Sequence, residues 1–210
     1  MRKLAIVEFL SVDGVMQGLG SPDEDRNGGF EHGGWGMPFS AALGEVLSPD
    51  VGAQTSAYLF GRRTYEKMAG FWPTRPDTDP MAASLNATPK YIATRTLRDV
   101  AWSGATVLDG DVLEAVDDLK ANGSGTIVVL GSGNLVRQLM RATLVDELRL
   151  FMHPLLLGTG KRLFGELPSP GSLRLEDIAS TSLGTVALTY SVGRLLSSDT
   201  PVTIAQASAV

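Results

Sequence analysis

Three short apolar runs in this chain end in the same way, and that shared ending constrains the fold more than any other feature. "YLFG" (58–61) runs into Arg62, Arg63 and Thr64, "YIAT" (91–94) into Arg95, and "VVLG" (128–131) into Ser132, Gly133 and Asn134. Each run is short, β-prone and bounded by glycine or hydroxyl residues, which reads as a buried strand. Two of them lead into helical patterns. The first is Thr64 to Ala69, ending near Gly70; the second is "NLVRQLMRA", with Leu135, Val136, Leu139 and Met140 on one side.

The same alternation runs through the rest of the chain. Residues 3–10 read as a strand, as do "ATVLD", "GTIVVLGSG" and "VDELRLFMHPLLLG". "KYIATRTL" reads as a strand beginning after Pro89, and "MAASLNA" as a helix. Asp111 opens a helix, with Glu114 as a capping-box-like partner and Val112, Val116 and Leu119 inward. "PFSAALGEVLS" has Phe39, Leu43, Val46 and Leu47 at helical spacing. "LRLEDIASTSLGTVALTYSVGR" reads as a hairpin around Leu183-Gly184. Strand and helix in alternation predict an α/β fold of three layers, αβα, with a mostly parallel central sheet. The final hairpin adds antiparallel strands at one edge. With no repeat and no linker, 1–196 is expected to be one domain, and 197–210 a frayed tail.

In a parallel sheet the three carboxyl ends lie along one edge, where ligands of such sheets gather. A helix start offers free N–H groups and partial positive charge. Glycine allows close approach to an anion, and arginine adds forked, charge-assisted hydrogen bonds. A dinucleotide with a pyrophosphate and an extra 2′-phosphate matches this set. Singly, each piece also has a plainer reading as a connection or a solvated charge.

The remaining features narrow the function. The net charge of −5 excludes a global basic field for nucleic acid. No cysteine and two histidines, His32 and His153, leave no multi-histidine or thiolate metal centre. No stretch has the length of a membrane span, and "MRKLAIVEFLSVDG" reads as a strand rather than a signal peptide. A cytoplasmic location is expected. The loop "QGLGSPDEDRNGGFEHGGWGMP" holds seven of the 24 glycines; with Phe30 and Trp35 it suits a lid over a small ligand, or else a surface excursion.

The motifs "SVDGVMQ", "GRRTYE", "ATRTL", "GSGNLVRQL" and "DELRLFMHPLLLGTGKRLF" resemble the dihydrofolate reductase-like superfamily over roughly residues 2–195. The branch is that of the riboflavin-biosynthesis reductase, the RibD C-terminal domain. The resemblance implies NADPH as cofactor and hydride transfer to a small pterin-, pyrimidine- or flavin-precursor-like heterocycle. It also implies a homodimer, to which the apolar hairpin and "FMHPLLLG" point as well. It places Gly61, Arg62, Arg63 and Thr64 at the cofactor phosphates and Thr94 and Arg95 near the 2′-phosphate. Gly131, Ser132, Gly133, Asn134, Leu135 and Val136 fall under the pyrophosphate and nicotinamide, with Phe9 and Met16 flanking the nicotinamide. Trp35, Phe39, Pro154 and Leu157 are the candidates for the substrate pocket, the segment Pro154 to Gly160 being one wall of it. One departure argues against folate reduction: Glu45 is the only acid on the segment where folate reductases carry theirs, and the apolar face leaves it outward.

Hydride transfer needs alignment and, for some substrates, a proton donor. The candidates are Glu8, Asp13 and Tyr65. Asp13 also reads as an Asp-Gly turn residue; Glu8 reads either as an edge residue or as a pocket acid with raised pKa. His153 reads as a hydrogen-bonded structural histidine and His32 as exposed. Trp35, Phe71 and Trp72 read as an aromatic pocket or as core. Ser132 in G-S-G lacks the G-x-S-x-G elbow of a serine hydrolase. The alternative to a reductase is a non-catalytic nucleotide-binding member of the same fold.

Overall fold

The computed structural model describes residues 1–47, 54–165 and 170–195. The expected tail, 197–210, lies outside the described residues. Eight strands form one sheet: β1 Lys3–Ser11, β2 Thr55–Gly61, β3 Lys90–Ala93, β4 Ala105–Val107, β5 Thr126–Leu130, β6 Glu147–His153, β7 Gly171–Ser180 and β8 Val186–Leu195. Their order is β4-β3-β2-β5-β1-β6-β8-β7. All pairings from β4 to β6 are parallel, and β8 and β7 continue the sheet antiparallel. Four α-helices accompany it among the described residues: α1 Arg62–Phe71, α2 Pro80–Ala87, α3 Val112–Ala121 and α4 Gly133–Arg141.

Strand alternation sorts the core into two faces. Leu4, Ile6 and Leu10 of β1 pack with Val116 of α3 and Leu135, Val136 and Leu139 of α4. Val7 packs on the other face with Tyr65 of α1, Leu85 of α2 and Trp102. Strand β5 is buried along its whole length, as a central parallel strand covered on both faces must be. A polar clamp joins the layers: the Asp146 carboxylate accepts from the Leu4 amide at 2.7 Å and pairs with Lys120 of α3 at 2.8 Å.

The glycine-rich loop is pinned. Gln17 donates to the carbonyls of Asp25 and Asn27 and accepts from the Lys161 amide, and Trp35 Nε1 donates to the Gln17 carbonyl at 2.7 Å. Phe30 and Trp35 are buried against Val15. Gly160 has φ +112°, and a Cβ there would stand 2.7 Å from Val15 Cγ1, so only glycine lets the segment after β6 close on this cluster.

Three expected elements differ in detail. Helix α1 begins at Arg62 rather than Thr64, because Gly61 at φ −77°, ψ 160° already serves as the N-cap. The strand at "KYIATRTL" stops at Ala93, where Thr94 Oγ1 accepts the amides of Thr96 and Leu97 and turns the chain. "PFSAALGEVLS" is a 3-10 run, Met37–Glu45, that buries only Ala42. Glu45 is exposed as expected, and it accepts from the Ser182 amide at 2.7 Å and the Ser182 hydroxyl at 2.6 Å. No helix among the described residues is long and apolar enough to cross a membrane.

Strand β7 closes one edge of the sheet. Its Leu173, Leu175 and Ile178 pair with Val192, Tyr190 and Leu188, so all three share a face, yet they are 44%, 48% and 60% exposed. We propose that a second copy of the chain covers this row, since a two-fold pairing would set the row against itself. Sedimentation should give twice the 22.2 kDa chain mass; a single-chain mass that persists at high concentration would contradict it.

Candidate functional site

Strands β3, β2 and β5 are immediate neighbours, so the three strand endings seen in the sequence converge on one stretch of the carboxyl edge. Ser132 joins two of them. Its Oγ accepts from the Gly61 amide at 2.8 Å and donates toward Thr64 Oγ1 at 2.7 Å. Ser132 sits at φ 70°, ψ 51°, a left-handed conformation that costs a non-glycine residue about 1–2 kcal/mol. Its hydroxyl therefore tethers β2 and α1 instead of capping its own helix, α4. No side chain caps α1 either. Helices α2 and α3 contrast with these two: Asp79 accepts from Met81 and Ala82, and Asp111 from Leu113 and Glu114. The helix starts at the β2 and β5 ends thus keep their first amides for an anion, whereas the other two are neutralised by carboxylates.

The basic residues lie around these starts. Arg62, Arg63 and Arg95 are exposed. Arg62 is in a 3.3 Å pair with Glu66, weak for an exposed i,i+4 pair. Arg63 and Arg95 have no hydrogen bond or ion pair among the described residues. Gly131 has φ 62° and packs toward Thr64. A Cβ on Gly133 would lie 2.6 Å from Met16 Sδ, so the turn after β5 and the loop after β1 meet here, with the Met16 thioether against the Gly133 backbone. Leu135 and Val136 point into the core and anchor α4; Asn134 is exposed and accepts from Arg137.

Next along the same edge are the ends of β1 and β6. Phe9 stacks on Phe151 at 4.8 Å, and His153 lies among Phe9, Trp35 and Phe39 with centroids 6.0, 5.6 and 4.8 Å away. Trp35 and Phe39 thus meet, through His153, as walls of one aromatic box. Leu157 packs against the cluster of Val15, Phe30 and Trp35, while Pro154 is exposed. Phe71 and Trp72 are not part of it; they form an edge-to-face pair at the end of α1.

The three proton-donor candidates go to three places. Asp13 accepts from the Ser11 hydroxyl and the amides of Leu157 and Gly158, which hold its carboxyl down at about 2, so it carries no proton at neutral pH. Tyr65 is core, its hydroxyl accepting the Trp102 amide at 3.2 Å. Glu8 is 4% exposed, with Oε1 lacking a partner among the described residues, and burial pushes its pKa up to about 8. Alternation sets Glu8 on the face of Ile6 and Leu10, opposite Phe9. Glu8 is thus not an edge residue facing solvent; it is a buried acid of raised pKa, set in the core face of the sheet. A concavity of about 590 Å³ lies at the other end of the sheet, among Lys3, Thr55, Thr126, Glu147 and Arg149. Those are the amino ends of the strands, away from every feature above.

Sheet order, helix starts and aromatic box together define a domain of the dihydrofolate reductase-like class. The RibD C-terminal domain family model matches residues 2–189, and the chain belongs to that family. It is 29% identical over 153 residues to the uncharacterized protein YyaP of Bacillus subtilis (strain 168), covering 69% of this chain and 81% of the relative. Among solved structures it is similar to a putative riboflavin biosynthesis protein from Shewanella sp. PV-4, with TM-score 0.68, 18% identity and coverage of 91% and 99% of the two chains. A pyrimidine reductase-like protein from Corynebacterium diphtheriae gives TM-score 0.58, 16% identity and 92% of each chain. Dihydrofolate reductase from Enterococcus faecalis, complexed with NADP(H), gives 0.51, 18%, and 90% and 96%. At these identities the structures establish the shared fold.

The Glu8 shift carries a consequence for stability. The folded pKa of about 8 lies above the ordinary 4.5, so the folded chain binds more protons than the unfolded one between those values. The stability held below about pH 4.5 is therefore lost progressively as pH rises toward 8. Glu8→Gln should match the parent near pH 4.5 and exceed it by a few kcal/mol at pH 9, as about 1.4 kcal/mol per pKa unit implies. Urea melts at the two pH values measure this; an equal offset at both would contradict it.

Proposed function

We propose that this chain is an NADPH-dependent reductase that delivers a hydride to a small, flat heterocyclic metabolite in the cytoplasm. The observation that carries the reading is the pair of uncapped helix starts, tied by Ser132 at adjacent strand ends and flanked by Arg62, Arg63 and Arg95, of which Arg63 and Arg95 have no partner among the described residues. The residues fit the group. The amides of Arg62 to Thr64 and of Gly133 to Leu135 would hold the pyrophosphate. Thr94 and Arg95 would meet the 2′-phosphate, and the backbone at Phe9 and Met16 would flank the nicotinamide. The cofactor supplies the hydride; the protein positions, desolvates and discriminates. Family membership and the likeness to an NADP(H)-bound reductase support the same reading.

A specific observation favours a second reading, a nucleotide-binding member without catalysis. Glu45 is engaged by Ser182, Asp13 is held ionised and Glu8 lies on the far face, so none of these three acids is set to give a proton at the aromatic box. Steady NADPH oxidation with a pterin, a pyrimidine or a flavin precursor would dispose of it.

Cofactor fluorescence tests the main reading. NADPH should saturate the protein below millimolar concentration, and Arg95→Ala should weaken NADPH about tenfold while leaving NADH nearly unchanged, the loss expected for one charge-assisted contact. Absence of saturation would reject the reading; equal losses for both cofactors would remove Arg95 from the 2′-phosphate.

A further inference from the structure

Asp13 opens an Asp-Gly turn, but the turn closes without its side chain. The Gly14 amide donates to the Ser11 carbonyl, the Ser11 amide to the Val15 carbonyl and the Val15 amide to the Ser11 hydroxyl oxygen, while Gly14 takes the left-handed φ of +80°. The carboxylate reaches elsewhere. Its Oδ1 accepts from the Ser11 hydroxyl at 2.7 Å and the Leu157 amide at 3.1 Å; its Oδ2 accepts from the Gly158 amide at 2.9 Å and Arg162 Nη2 at 3.2 Å. An ionised carboxylate offers about four acceptor sites, so all are in use. So bonded, it stays ionised at neutral pH. Leu157, Gly158 and Arg162 lie 144, 145 and 149 positions along the chain, so these are bonds of tertiary structure and not of the turn.

Beyond Asp13 the turn and the later segment are zipped together. Leu163 donates to the Gly14 carbonyl, Val15 and Arg162 form an antiparallel bridge, Met16 donates to the Lys161 carbonyl, and the Lys161 amide donates to Gln17 Oε1. The two segments thus make one body that borders two parts of the site. On one side the Met16 thioether lies against the Gly133 backbone, at the uncapped start of α4. On the other, Leu157 packs on the cluster of Val15, Phe30 and Trp35. Asp13 ties the Leu157–Gly158 end of this body to the end of β1.

We propose that Asp13 is a positioning residue whose carboxylate holds the nicotinamide end of the cofactor and the wall Pro154–Gly160 at a fixed spacing. It acts through Met16 on one side and through the Leu157 and Gly158 amides on the other. The placing of the nicotinamide beside Met16 rests on the reductase reading. A misplacement of about 1 Å costs on the order of a hundredfold in rate, so a donor and an acceptor ring gain from being bordered by one stiff body. A carboxylate suits the task because every group it meets is a donor; a carboxamide in its place would set N–H groups against two of the four.

Calorimetric titration with two ligands separates positioning from architecture. One is NADPH; the other is adenosine 2′,5′-bisphosphate, which carries the 2′-phosphate end and no nicotinamide. Asp13→Ala should weaken NADPH about tenfold, the worth of about one hydrogen bond at the nicotinamide end, and hold the bisphosphate within about twofold. Arg95→Ala, aimed at the 2′-phosphate, is the contrasting control and should weaken both. Arg162 is 48% exposed, so Arg162→Met keeps the fold; it should reproduce the split at about threefold, and it decides alone if Asp13→Ala does not fold. Equal losses for the two ligands would make Asp13 a general prop of the fold, and an unchanged NADPH affinity would detach it from the nicotinamide; either result overturns the proposal. A parent that does not bind NADPH defeats the reductase reading and this proposal with it. A parent that binds NADPH, beside variants that show no split, defeats this proposal alone.

Discussion

One hydroxyl holds the candidate site together. Ser132 Oγ reaches from the turn after β5 to the Gly61 amide and the Thr64 hydroxyl, so the starts of α1 and α4 are fixed to each other as well as to their own strands. The left-handed backbone at Ser132 is the cost of that reach. What results is two sets of uncapped amides in register along adjacent strand ends. The starts of α2 and α3 differ, their amides being taken by the carboxylates of Asp79 and Asp111. Charge then follows geometry: a protein of net charge −5 can still bind a polyanion, provided its free cations stand where the amides already point.

The sheet divides the remaining chemistry between its faces. Phe9, Phe151 and His153 lie on one side with Trp35 and Phe39, and Glu8 on the other beneath α4. The two buried titratable groups of this region are consequently shifted in opposite directions, and both toward neutrality. Glu8 keeps its proton to about pH 8 and His153 resists gaining one, as desolvation requires of each.

Much of this was legible in the sequence because strands buried on both faces are written as apolar runs. β1, β2, β5 and β6 fall where those runs fall, and the antiparallel hairpin falls at its Leu183-Gly184 turn. The convergence of three strand endings was legible too, since parallel strands must share a carboxyl edge. The segment 37–45 was less so: its helical spacing is real, but Phe39 stacks on His153 instead of entering the core, and the backbone tightens to a 3-10 run. The face of Glu8 could have been read from its two-residue spacing to Ile6 and Leu10. The role of Ser132 and the setting of His153 could not, because Gly61 and Ser132 are 71 positions apart and His153 and Thr185 are 32 apart. Local pattern carries no register between distant turns.

Amide mapping of the labelled protein during NADPH titration tests the central claim most directly. Shifts concentrated at Gly61–Thr64, Thr94–Thr96 and Gly131–Val136 are the predicted result. Shifts at the opposite edge, around Thr55, Thr126 and Glu147, with those three turns unmoved, would contradict it.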